Sequence, residues 1–187
     1  MKKVELERIN PNEKTLLWDM DGTLAHIFVP GFLEKVFFPD FFLNLEPYEN
    51  SIKAIKIIHN ERPDIKQYIC SSLTPTLFCE KEKNKWVDIF VGKDIIPVNR
   101  RIFVPSGESK ADFIPGEITK NLFIVDDYTL RCMEITEAGG TAMKYRNRIN
   151  CVNGTWKGLI VNGLSTGESL AREIIYNIDA TSAKIAI

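Results

Sequence analysis

The sequence predicts an α/β fold, a Rossmann-like parallel sheet flanked by helices, and three stretches carry that prediction. Leu16-Leu17-Trp18 is a short apolar run that switches at once to Asp19, Asp21, Gly22 and Thr23. Ile65 to Cys70 reads as a second strand, ending in Ser71 and Ser72. Leu122 to Val125 is the clearest, and it ends in Asp126 and Asp127. Apolar runs closed by polar and turn-forming residues read as buried strands whose carboxyl ends open into loops. In open α/β sheets those ends are where ligands bind.

At 187 residues the chain suits one domain, spanning 1–187, with room for a sizeable core. Apolar residues make up 44% and charged ones 26%, the balance of an ordinary globular protein. A net charge of −1 gives no global electrostatic case for a nucleic acid polymer or a membrane surface, so any anion selectivity must be local. Met1 to Asn12 is polar and no later segment has the apolar length to cross a bilayer, which predicts a chain without leader or anchor. Cys70, Cys79, Cys132 and Cys151 are widely spaced with no Cys-x-x-Cys pair, a pattern of reduced thiols in a cytoplasm.

Taken in order, the elements fill out the α/β rhythm with one interruption. Six of the eleven phenylalanines (Phe28, Phe32, Phe37, Phe38, Phe41 and Phe42) lie between Ala25 and Pro47, directly after the first strand. That concentration predicts a small helical cap over the strand ends, inserted at 25–62, its rings serving either as substrate wall or as core. Pro47 suits the first turn of a helix, and Tyr48 to Asn60 carries Ile52, Ile55 and Ile58 at the spacing of a helix packed on a sheet. Thr76 to Phe90 reads as a helix with Lys81, Lys83 and Lys85 outside and Trp86, Ile89 and Phe90 inside. Arg101 to Val104 is a third strand, followed by a loop to Lys110. Thr141 to Tyr145 is a fifth, and its basic continuation, Lys144 to Arg148, is either a solvated loop or a set of rim cations that steer an anion. Ser165 to Ile178 closes the chain as a helix, with Ser165 as N-cap and Glu168 three residues on.

The chemistry begins with the first strand end. Two carboxylates two positions apart repel unless a cation or a proton joins them, so the pair is costly as scaffold. Asp19 reads as a nucleophile and Asp21 as the acid serving a leaving group. A calcium loop is the competing use of Asp-x-Asp-Gly, but the EF-hand needs Glu at its twelfth position, which here is Pro30. Hydroxyls at the end of the next strand, on Ser71 and Ser72, are suited to donate to phosphate oxygens. The adjacent Asp126 and Asp127 ask for a cation, and Mg²⁺ needs few protein ligands because it keeps several waters.

Asp19-Met20-Asp21-Gly22-Thr23 resembles the first motif of the haloacid dehalogenase (HAD) superfamily, mostly Mg²⁺-dependent phosphatases that pass through an aspartyl-phosphate. Ser71, Lys110 and Asp126-Asp127 resemble its second, third and last motifs in the same order, Lys110 being preferred to Lys120 as the motif lysine because it follows a strand and loop. Within the superfamily the chain looks most like the 5'(3')-deoxyribonucleotidases, through Phe41 to Pro47, Tyr68 to Ser72 and Glu82 to Val87. The resemblance implies a HAD fold, a metal site drawn from Asp19, Asp21, Asp126 and Asp127 with Asp127 the direct ligand, a role for Lys83 on the phosphate, and Phe41 as a wall of the nucleoside pocket. The substrate it implies is a small phosphomonoester, a nucleoside monophosphate. The chain departs from that family in a shorter segment between the first two motifs and a longer spacing from Lys110 to Asp127. A phosphatase for sugar phosphates and a non-catalytic phosphate-binding module are the alternatives.

Overall fold

The computed structural model describes residues 4–150 and 154–183. Six parallel strands, β1 (Lys14–Trp18), β2 (Ile65–Leu73), β3 (Arg101–Pro105), β4 (Leu122–Asp126), β5 (Thr141–Arg146) and β6 (Leu159–Asn162), form one sheet in the order β3-β2-β1-β4-β5-β6. β1 and β4 sit in the interior of this sheet, covered on both faces, which is why their sequences are continuous apolar runs rather than alternating ones. Ser71 and Ser72 lie inside β2 rather than beyond it, paired with Phe103 and Val104 of β3.

Side chains alternate between two cores. On one face Leu16, Trp18, Phe123, Val125 and Met143 meet α2 (Glu49–Glu61) through Ile52, Ile55 and Ile58, and α5 (Gly167–Ala183) through Leu170, Ile174 and Ile178. On the other, Leu17, Tyr68, Cys70, Ile102 and Ile124 meet Cys132 and Ile135 of α4 (Thr129–Glu137), together with Ile9 and Ile114. Cys70, Cys79 and Cys132 are buried free thiols. Cys151 lies outside the described residues. Among the described residues no helix is long and apolar enough to cross a membrane.

Two elements, α4 and β6, have no counterpart in the sequence reading. α4 buries only Cys132 and Ile135 while Leu130 and Met133 face solvent, so its apolar residues do not trace one stripe. β6 is a four-residue edge strand with Ile160 exposed. The closing helix also starts later than expected. Thr166 Oγ1 accepts the Ser169 N–H (3.3 Å), the geometry of an N-cap, while Ser165 Oγ donates to the Asn162 carbonyl (2.7 Å).

The helical part of the 25–62 stretch divides in two. α2 belongs to the sheet layer as the crossover from β1 to β2. The chain between them leaves and returns through a short stem in which His26 N–H donates to Glu46 O (2.9 Å) and Tyr48 N–H to Leu24 O (2.7 Å). Beyond that stem lie turns and one four-residue helix, α1 (Phe32–Lys35). The aromatic rings there share no single fate: Phe42 is fully buried, Phe32 and Phe41 are partly buried, and Phe28, Phe37 and Phe38 are exposed.

α3 (Cys79–Phe90) holds this insert down. Its inward stripe is Cys79, Glu82, Lys83, Trp86 and Val87, so two charged residues occupy interior positions and Ile89, expected inside, is 64% exposed. The buried Glu82 carboxylate accepts the Asp40 and Phe42 N–H groups (2.7 and 3.1 Å), and Trp86 Nε1 donates to the Leu45 carbonyl (2.7 Å). Asp40 needs that support because its φ of +65° is left-handed. Glu82→Ala is expected to destabilise the chain by about 2 kcal/mol, through two lost charge-assisted bonds, and to lower Tm by roughly 4–8 °C. A thermal melt that shifts by less than about 1 °C would show that the insert is held by other means.

Candidate active site

The site starts where β1 stops. Asp19 N–H still donates to Val125 O of β4 (3.0 Å), which fixes its side chain at the strand end. The Met20 carbonyl then accepts the N–H groups of Thr23, Leu24 and Ala25 (3.2, 2.8 and 2.8 Å), closing a tight turn that aims Asp19 and Asp21 out of the sheet. Gly22 makes the turn with φ +86°.

Two ammonium groups meet these carboxylates. Lys110, fully buried, places Nζ 2.6 Å from Asp19 Oδ1 and 2.6 Å from Asp126 Oδ2, joining the ends of β1 and β4. Its main-chain N–H donates to Glu134 Oε2 of α4 (3.1 Å). Lys83, also fully buried, donates to Asp21 Oδ2 (2.6 Å), Ser71 Oγ (2.9 Å) and the Ser72 carbonyl (2.8 Å), and stands 5.0 Å from the centre of the Phe42 ring. Burial works against the Lys110 charge, but the carboxylates of Asp126 and Asp19 outweigh it and hold its pKa above the ordinary value.

Asp127 faces the same space. Asn147 Nδ2 donates to Asp127 Oδ2 (2.9 Å) and to the Gly22 carbonyl (2.9 Å), tying the loop after β5 to the turn after β1. Carboxylate oxygens of Asp19, Asp126 and Asp127 all lie within 4.8 Å of one another. Burial, with the charges of Asp19 and Asp126, pushes the Asp127 carboxyl up to about 8, and burial also raises Asp19 and Asp126. Four carboxylates face two ammonium groups, a deficit of two positive charges when all are ionised. An all-oxygen donor set with that deficit fits a hard divalent cation.

No family model and no curated relative matches the sequence. Among solved structures, the chain is similar to a HAD-superfamily hydrolase from Ehrlichia chaffeensis, with 12% identity over 90% of this chain and 97% of that one and a TM-score of 0.53. The chain has the HAD fold. A HAD family hydrolase from Deinococcus radiodurans, solved with bound phosphate and sodium, is more distant, with 10% identity over 73% of this chain and 82% of that one and a TM-score of 0.46. At 12% identity the likeness to the Ehrlichia protein is one of fold alone.

Within the HAD fold the expected residues gather unevenly. Asp19, Asp21, Ser71, Lys83, Lys110, Asp126 and Asp127 converge at the carboxyl ends of β1, β2 and β4. Lys83, which helical periodicity placed outside, is buried in the site because it falls on the inward stripe of α3 with Cys79, Glu82, Trp86 and Val87. Lys120 is exposed, leaving Lys110 as the lysine on Asp19. Asp21, expected among the metal ligands, is not in the carboxylate cluster; one of its oxygens is taken by Lys83 and the other is buried without a partner. Asp126 uses both oxygens, on Lys110 and on the Tyr128 N–H (2.8 Å). Ser72 contributes its carbonyl. Phe41 stands edge-on to Phe42 in a cleft of about 300 Å³ lined by insert residues alone. Asn147 went unread because it lies between two arginines and looked like part of a basic loop.

Gly22 is sterically required as well as turned: a Cβ there would lie 2.4 Å from Asp127 Oδ2. Gly107 has nearly the same φ, +90°, with nothing within 4 Å. Gly107→Ala is therefore expected to cost only the left-handed backbone strain, about 1–2 kcal/mol, and Gly22→Ala distinctly more in paired urea titrations. Equal costs would mean that Asp127 moves aside freely.

Proposed function

We propose that this chain is a phosphomonoesterase that works through an aspartyl-phosphate on Asp19, requires Mg²⁺, and takes nucleoside monophosphates, deoxy forms included, as substrates. The observation that carries this reading is the division of labour at the end of β1. Asp19 is paired with Lys110 and Asp21 with Lys83, so two neighbouring carboxylates have separate cations and separate surroundings. A site built only to hold an anion would not place carboxylates there.

In the proposed cycle Asp19 attacks phosphorus in line, forming an acyl-phosphate bond as the ester P–O bond breaks. Asp21 gives its proton to the departing oxygen. It then takes a proton from water, whose oxygen displaces the Asp19 carboxylate and releases orthophosphate. Lys110, Lys83 and Ser71 Oγ supply the charge and hydrogen bonds that balance the phosphoryl oxygens. Asp19 and Asp127, with Asp126 behind them, would hold the Mg²⁺, which neutralises phosphate charge beside the nucleophile.

Release of orthophosphate from a panel of nucleoside monophosphates and sugar phosphates, run with Mg²⁺ and with excess chelator, tests the reading. Activity is expected with Mg²⁺ alone. Asp19→Asn should lower turnover by about a thousandfold or more and Asp21→Asn by about 10²–10⁴, both with unchanged circular dichroism. A folded Asp19→Asn chain that keeps its activity would remove the nucleophile, and no hydrolysis of any monoester would favour the binding-module alternative.

A further inference from the structure

A cleft of about 610 Å³ opens between the stem of the insert and the loop after β5, lined by His26, Phe28, Tyr48, Arg148, Ile149 and Leu164 among others. That volume suits a small-molecule group. Its walls hang from the catalytic turn. His26 follows the Met20–Ala25 turn directly, Tyr48 is bonded to Leu24, and Arg148 adjoins the Asn147 that holds Asp127 and Gly22. Asn150 keeps this segment in place, donating from its side chain to the Asp127 and Tyr145 carbonyls (both 2.8 Å).

The reaction described above uses none of these wall residues. The His26 imidazole stacks on the Tyr48 ring, with centroids 3.5 Å apart and planes 25° from parallel, and His26 remains exposed. Burial and the nearby Arg148 guanidinium lower the His26 pKa, against the opposing charge of Glu46, which favours the neutral ring. A flat ring pair on the wall of a cleft that is tied to the Met20–Ala25 turn is a stacking platform. Phe41 lines a separate, smaller cleft made of insert residues alone.

We infer that the His26–Tyr48 stack and Arg148 form the leaving-group subsite, selecting monoesters whose leaving group carries a flat heteroaromatic ring. The inference rests on the phosphatase reading and moves the specificity determinant from Phe41 to His26.

The test compares a nucleoside 5'-monophosphate with ribose 5-phosphate, which keeps the phosphate and sugar and lacks the ring. The expected kcat/KM ratio is about tenfold or more in favour of the nucleotide. His26→Ala should collapse that ratio through a raised nucleotide KM with kcat largely kept, and His26→Phe, which restores a flat face, should recover it. Hydrolysis of both substrates with equal efficiency overturns this inference alone. So does a His26→Ala loss that falls equally on both substrates, or a Phe41→Ala variant that collapses the ratio while His26→Ala does not. Failure to hydrolyse either substrate, or any other monoester, removes the phosphatase reading first and this one with it.

Discussion

The constraint on which this structure turns is the Lys110 ammonium held between Asp19 and Asp126. β1 and β4 are hydrogen-bonded neighbours, and each ends in a buried carboxylate. Without a cation between them those groups would repel across the centre of the sheet. Taking three charges out of water is itself costly, so the triad is a weak argument for stability and a strong one for position. It draws a residue from the loop after β3 into the middle of the molecule, where Glu134 fixes its backbone. The same contact that relieves the strand ends leaves the Asp19 carboxylate beside a buried positive charge.

Lys83 repeats this logic on the other side of β1. Because it comes from α3, and because its neighbour Glu82 pins the insert, one helical turn controls both the partner of Asp21 and the lie of the chain above it. Displacing α3 would disturb Asp21 and the insert together. The insert is thus coupled to Asp21 through adjacent residues of a helix that is otherwise an ordinary crossover.

The sheet was most legible in the sequence where strands are buried on both faces, since β1 and β4 write themselves as apolar runs. It was illegible at the edge, where four residues of β6 carry one buried side chain, and in α4, whose apolar residues are split between core and solvent. The carboxylates were readable because charge at the end of a buried strand has no packing explanation. Lys83 and Glu82 obscured the pattern for the opposite reason: their positions on α3 are interior by geometry and polar by chemistry, so periodicity assigned Lys83 to solvent. Asn147 left no trace, because an amide that joins two loops 125 residues apart depends on topology alone.

Strand order explains why these groups meet at all. With β1 flanked by β2 and β4, the chain leaves β1 toward β2 and β3 on one side and returns beyond it to build β4, β5 and β6 on the other. The connections at the carboxyl ends therefore part around β1, opening the crevice in which α/β sheets bind ligands. Ser71 and Lys83 approach from the β2 side of that crevice and Asp127 and Asn147 from the β4 side, while Lys110, on the connection from β3 to β4, lies between Asp19 and Asp126. The Asn147 bridge fastens the far loop to the Gly22 carbonyl, so the cleft beside it is framed by the same turn that carries Asp19 and Asp21. A group seated in that cleft would be positioned by the turn that carries Asp19 and Asp21, which on the proposed reading makes selectivity and chemistry consequences of one local conformation.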